Sequence, residues 1–119
     1  MDGLLRIQLL GGMARAMLID STETCDKARE THDLSKTACA ALGRTLTGTL
    51  MLGTMLKGEG SSVTVTIKGG GPLGTVLAVA KPDGTVKGYV DNPMVELPRK
   101  NDKLDVGGAV GRAGRMSVV

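Results

Sequence analysis

Ala38, Leu42, Leu46 and Leu50 recur at four-residue steps, and Leu52, Met55 and Leu56 carry the same stripe onward. An apolar period near 3.6 sustained this long specifies one amphipathic helix. The spacing predicts that helix over Lys36–Lys57, about 33 Å long at 1.5 Å per residue. Ser35 stands before it as an N-cap, and Lys57-Gly58 closes it. Gly43, Gly48 and Gly53 interrupt it, each costing up to about 1 kcal/mol against alanine. A helix with three glycines is expected to lie close against other backbone; a glycine-loosened hinge is the alternative.

On either side of this helix the apolar period falls to two. Leu4–Leu10 and Met13–Asp20 are strand-length runs, and Gly11-Gly12 between them predicts a two-residue hairpin turn. Leu5, Ile7 and Leu9 share one face of the first run; Leu4, Arg6, Gln8 and Leu10 share the other. Asp20 with Glu23 reads as a capping box for a short, superficial helix over Thr22–Thr31, with only Cys25 and Ala28 to bury. Beyond Ser62, Val63, Val65 and Ile67 alternate with Thr64, Thr66 and Lys68. Gly69–Gly74 then turns the chain into Thr75–Ala80, and Lys81-Pro82-Asp83-Gly84-Thr85 turns it again into Val86–Asp91. Three strands on two turns make an antiparallel meander. The chain is irregular through Pro98–Asp102, becomes apolar again over Leu104–Val110, turns at Gly111–Arg115 and starts a strand at Met116–Val119. The predicted fold is α+β: an N-terminal hairpin and a three-stranded meander, largely antiparallel, with a short helix and one long helix packed on it. Because the sequence stops inside a strand pattern, the domain is expected to be incomplete, with an open edge.

Little in the sequence supports catalysis. His32 is the single histidine, and its neighbour Asp33 cannot face it from the next helical position. Cys25 and Cys39, with thirteen residues between them, fit neither a CxxC pair nor a zinc ligand set and read as two ordinary reduced thiols. Gly69–Gly74 leads into a strand and lacks a Gly-Lys-Ser/Thr ending, so it reads as a turn and not a phosphate loop. No catalytic, cofactor-binding or metal-binding residue is assigned, and the chain is read as a non-enzyme.

Charge and composition narrow the partners. Residues 1–60 hold seven basic and seven acidic side chains, and residues 61–119 hold eight and five, with no basic run longer than Arg99-Lys100. Tyr89 is the only aromatic residue. Nucleic-acid binding usually shows a dense basic stripe with stacking aromatics, so none is expected. No apolar run approaches the roughly 20 residues of a membrane span, and no leader pattern is visible, so a cytoplasmic protein without a membrane partner is expected. Met94, Val95 and Leu97 sit on the loop Asn92–Arg99, where apolar residues either fold back onto the core or offer a patch to a partner. They are the candidate partner-binding residues. A Met- and Leu-rich surface without aromatics is adaptable and suits promiscuous binding.

The order of the motifs points to a family. His32-Asp33 followed by Thr37-Ala38-Cys39-Ala40-Ala41-Leu42-Gly43-Arg44-Thr45-Leu46-Thr47 resembles a signature of the redox-regulated thirty-three-kilodalton heat-shock chaperone family. Leu52–Gly58, Val65–Gly74, Gly88–Pro93 and Lys103–Gly107 with Ala109–Gly111 continue that resemblance in order along the chain. The resemblance implies an ATP-independent holdase that binds unfolding proteins and prevents their aggregation. It also implies redox regulation through zinc on four C-terminal cysteines (CxC, then CxxC). Cys25 and Cys39 match none of those positions, so neither zinc nor a switch is expected in this chain. What it covers is the first part of the family's N-terminal core domain; the rest of the core, the linker and the zinc module are expected to be missing. The alternative reading is a small interaction module without chaperone activity that pairs with itself, as a homodimer, or with a missing subunit, through the edge after Arg115.

Overall fold

The computed structural model describes residues 2–119. Strands β1 (Gly3–Leu9) and β2 (Ala14–Asp20) form a separate antiparallel hairpin, followed by helices α1 (Thr22–His32) and α2 (Lys36–Thr54). Strands β3 (Val63–Lys68), β4 (Thr75–Ala80) and β5 (Val86–Val90) follow, then a single helical turn, α3 (Val106–Val110), and strand β6 (Arg115–Val118). The second sheet runs β5-β4-β3-β6 and is antiparallel throughout. The α+β architecture with a hairpin and a meander is as expected. The last strand does more than trail off: Met116 pairs with Ile67 and Val118 with Val65, so β6 extends the meander to four strands.

Alternation explains the core. Val63 and Val65 of β3, Val76, Ala78 and Ala80 of β4, and Val90 of β5 all face α2 and are buried. From α2, Ala38, Ala41, Leu42 and Leu46 cluster with Val76, Ala78 and Val90, and Leu73 and Ala109 complete that cluster. Small residues let helix and sheet approach closely, which replaces the area that aromatics would supply. Gly53 shows how closely: a Cβ there would stand 2.8 Å from the Ala80 Cβ and 3.1 Å from the Lys81 carbonyl oxygen. Gly43 lies against the Cys25 side chain, whereas Gly48 meets nothing. Close packing therefore accounts for two of the three helix glycines.

Three local expectations need correction. The first hairpin turns over four residues, 10 to 13, because Leu9 pairs with Ala14 and Leu10, Gly11 and Gly12 all take positive φ. Helix α2 ends at Thr54, since the amides of Met55 and Leu56 bond back to Leu52 and Gly53 in a tightened last turn. The capping box at Asp20 does not cap α1. Asp20 accepts from the amide and hydroxyl of Thr22, while Asp2 accepts from the amides of Glu23 and Thr24 at 2.8 and 2.9 Å and so serves as the cap from a distance. Ser35 caps α2 as predicted, accepting from the Ala38 amide at 3.2 Å.

Gly69–Gly74 is a backbone track for the chain that follows it. The amides of Gly71 and Leu73 donate to the carbonyls of Val110 and Ala109, and Ala113 donates to Gly69. Side chains at Gly69 or Gly71 would collide with those carbonyls. The turn reading holds, and its glycines seat α3 against the turn between β3 and β4.

Candidate functional site

The hairpin has two unlike faces. Cross-strand partners Arg6 and Met17 look toward the end of α2: Arg6 Nη2 donates to the Thr54 carbonyl at 2.7 Å, and Met17 Sδ lies 3.8 Å from the Thr54 hydroxyl, which donates to the Met51 carbonyl at 2.8 Å. Period two then turns Leu5, paired with Leu18, and Leu9, paired with Ala14, the other way. Among the described residues the large side chains of that side are left exposed, while Ile7 and Ala16 between them line a cleft with Met55 and Leu56. Leu5, Leu9 and Leu18 are each at least half exposed, and at the tip Leu10 is 79% and Met13 90% exposed. Five large apolar side chains on one face and tip form a patch of the kind that marks a binding surface, unlike single scattered exposures. The sequence pattern showed which residues share this face but missed them as site residues. The signal was there: β1 is apolar at Leu4, Leu5, Ile7 and Leu9, more than one sheet face can bury.

The loop after β5 separates the three residues singled out from the sequence. Its backbone is fastened to the start of α2, with Ser35 donating from its amide to the Pro93 carbonyl at 2.8 Å and from its hydroxyl to Val95 O. Val95 and Leu97 fold back and pack on the core cluster. Met94 points outward and is 67% exposed. Met116 and Val118 of edge strand β6 add a further exposed apolar pair.

Cys25 on α1 and Cys39 on α2 are both free and line one shallow cleft with Ala40, Gly43, Arg44 and Thr47. Burial pushes the Cys39 thiol above its ordinary value, and the nearby Cys25 adds to the shift. Zinc takes four protein ligands in a structural site. Among the described residues no group of three or more His, Cys, Asp or Glu side chains comes together, so these residues do not fit the metal. His32 ends α1, where Asp33 turns the chain at φ +51°. Among the described residues no helix is long and apolar enough to cross a membrane.

A family profile described as Hsp33 protein matches residues 2–119. The chain is 52% identical over 119 residues to the 33 kDa chaperonin of Gloeothece citriformis, covering 99% of this chain and 40% of that protein. It is 46% identical over 119 residues to the 33 kDa chaperonin of a Thermoanaerobacter species, with the same coverage of each. The crystal structure of the 33 kDa chaperonin from Thermotoga maritima superposes with a TM-score of 0.86 at 32% identity, covering 98% of this chain and 44% of that one. The chain thus spans about 40% of the length of the curated relatives it matches.

Proposed function

This chain belongs to the Hsp33 family, and we propose that it carries chaperone activity: it holds unfolding polypeptides without ATP and keeps them from aggregating. The observation that carries this reading is the exposed hairpin face of Leu5, Leu9, Leu18, Leu10 and Met13. Unfolded chains expose apolar side chains in no fixed order, and an adaptable aliphatic surface on a fixed base suits such partners. Met94 supplies a second contact, with Val95 and Leu97 anchoring its loop. The names of the relatives, 33 kDa chaperonins, support the same reading. The role is binding, not catalysis, and it is assigned to the cytoplasm, where free thiols such as Cys25 and Cys39 stay reduced.

Redox regulation of the family kind needs a cysteine set that this stretch does not supply, so the holding activity described here does not switch with oxidant. We read the chain as part of the family's core domain. The test is light scattering from a chemically unfolded client diluted into buffer without nucleotide. The chain is expected to suppress scattering in proportion to its concentration, before and after peroxide; failure to suppress it overturns the reading.

A second reading rests on β6. It is an edge strand with every residue exposed, and an unpaired edge can recruit another strand. A homodimer formed there would sediment as a single defined dimer.

A further inference from the structure

The sequence spreads its basic residues thinly, yet the fold gathers four of them. Arg44, Lys100, Lys103 and Arg112, drawn from three separate stretches of chain, line one cleft of about 710 Å³. Lys100 and Lys103 exchange backbone hydrogen bonds of 2.9 and 3.0 Å around a two-residue turn, in which Asn101 and Asp102 have φ of +52° and +62°. Residues directly opposite in an antiparallel pair send their side chains to one face, so the turn presents both ammonium groups together. Arg112 folds back over α3; a Cβ on Gly107 would stand 2.8 Å from its Nη2. The absent side chain at residue 107 leaves that guanidinium its place. Arg44 reaches the cleft from the exposed side of α2.

The cleft lining leaves this positive charge in excess. Asp105 is the one carboxylate lining the cleft, and it accepts from the Gly108 amide at 3.0 Å as the cap of α3. Among the described residues none of the four cations makes an ion pair. The excess of three positive charges equals the formal net charge of the whole chain, +3. Gathering like charges costs Coulomb energy, which a bound anion recovers.

We propose that this cleft binds a small anion built of linked phosphate groups. Two guanidinium forks chelate phosphate oxygens in pairs, and two ammonium groups supply point charges. An acidic peptide offers one charge per residue, with successive residues roughly 3.3 Å or more apart when extended, whereas a condensed phosphate concentrates several charges at one spot. No aromatic side chain lines the cleft, so a nucleotide base gains no stacking there, and free condensed phosphate is the better source.

Titration calorimetry of the whole chain with inorganic tripolyphosphate tests this. One saturable site is expected, its affinity falling about tenfold or more between roughly 50 and 200 mM salt. Arg44→Gln with Arg112→Gln should weaken binding about tenfold or more, because each substitution removes a charge-assisted contact. Lys100→Gln with Lys103→Gln, both exposed side chains, should weaken it about fivefold or more. Lys81→Gln with Lys87→Gln, outside the cleft, should leave it unchanged. Circular dichroism checks that each variant is folded. Absence of saturation, indifference to both cleft variants, or hexaglutamate binding as tightly as tripolyphosphate would each overturn the proposal. So would ATP binding far more tightly than tripolyphosphate, because that would mean the base is recognised.

Discussion

Arg6 donates from Nη2 to the backbone carbonyl of Thr54 at 2.7 Å, joining the first strand to the last turn of the long helix. That carbonyl is one of the four that a helix leaves without an internal partner, and a cation there also meets the negative end of the helix dipole. The contact holds the hairpin so that its Leu5–Leu18 face looks away from the domain. Arg6→Ala is expected to loosen the hairpin by about 1 kcal/mol. Amide hydrogen exchange should speed up in β1 and β2 about fivefold while β3 and β4 are unchanged.

The helix glycines are expected to differ in sign. Gly48→Ala meets open space and removes a helix penalty, so it should stabilise by about 0.5–1 kcal/mol. Gly53→Ala pushes a methyl group against Ala80 and the Lys81 carbonyl, so it should destabilise by about 1–3 kcal/mol despite the same gain. Urea unfolding of the two variants decides between a packed helix and a hinge, since a hinge would make both substitutions alike.

Acid should loosen the start of α1. The Thr24 hydroxyl, first, and the amides of Glu23 and Thr24 hold the Asp2 carboxyl below its ordinary value of 3.8. A folded-state value below the unfolded one stabilises above the unfolded value and is lost as the pH falls through the folded one. Asp2→Asn is therefore expected to lower Tm at neutral pH. The gap from wild type should close as the pH drops below the ordinary carboxylate range, which thermal melts across that range will show.

Burial holds Cys39 more in its thiol form than a free cysteine. Its alkylation by iodoacetamide should be slower in the folded chain than in urea, with a half-maximal pH above the ordinary 9.0. Peroxide should leave aggregation suppression unaltered in wild type and in Cys25→Ser/Cys39→Ser alike.

Regular periodicity explains what was legible in advance. Val63 and Val65 against Thr64 and Thr66, or Leu42 and Leu46 on one stripe, state both the element and its buried face, so β3, β4 and α2 could be read directly. Helix α3 could not: it carries Gly107 and Gly108 in five residues and forms because Asp105 caps it and the Gly69–Leu73 backbone receives it. The Asp2 cap joins residues 21 and 22 positions apart, beyond any local pattern. The basic cleft depends on Arg44 meeting residues from beyond position 99, which charge counts along the chain disguise. As for the hairpin, alternation told which side chains share a face but not whether anything covers it. The reverse holds for Val95 and Leu97, which the core takes back.

The proposed holding of unfolding chains rests on the exposed hairpin face of Leu5 and Leu18. Leu5→Ser/Leu18→Ser alters only exposed side chains, so stability should change by no more than about 0.5 kcal/mol for each substitution. Light scattering of a denatured client, compared between wild type and this variant at equal concentration, tests the claim most directly. The account predicts that the folded variant loses most of its protection; full protection by the folded variant would contradict it.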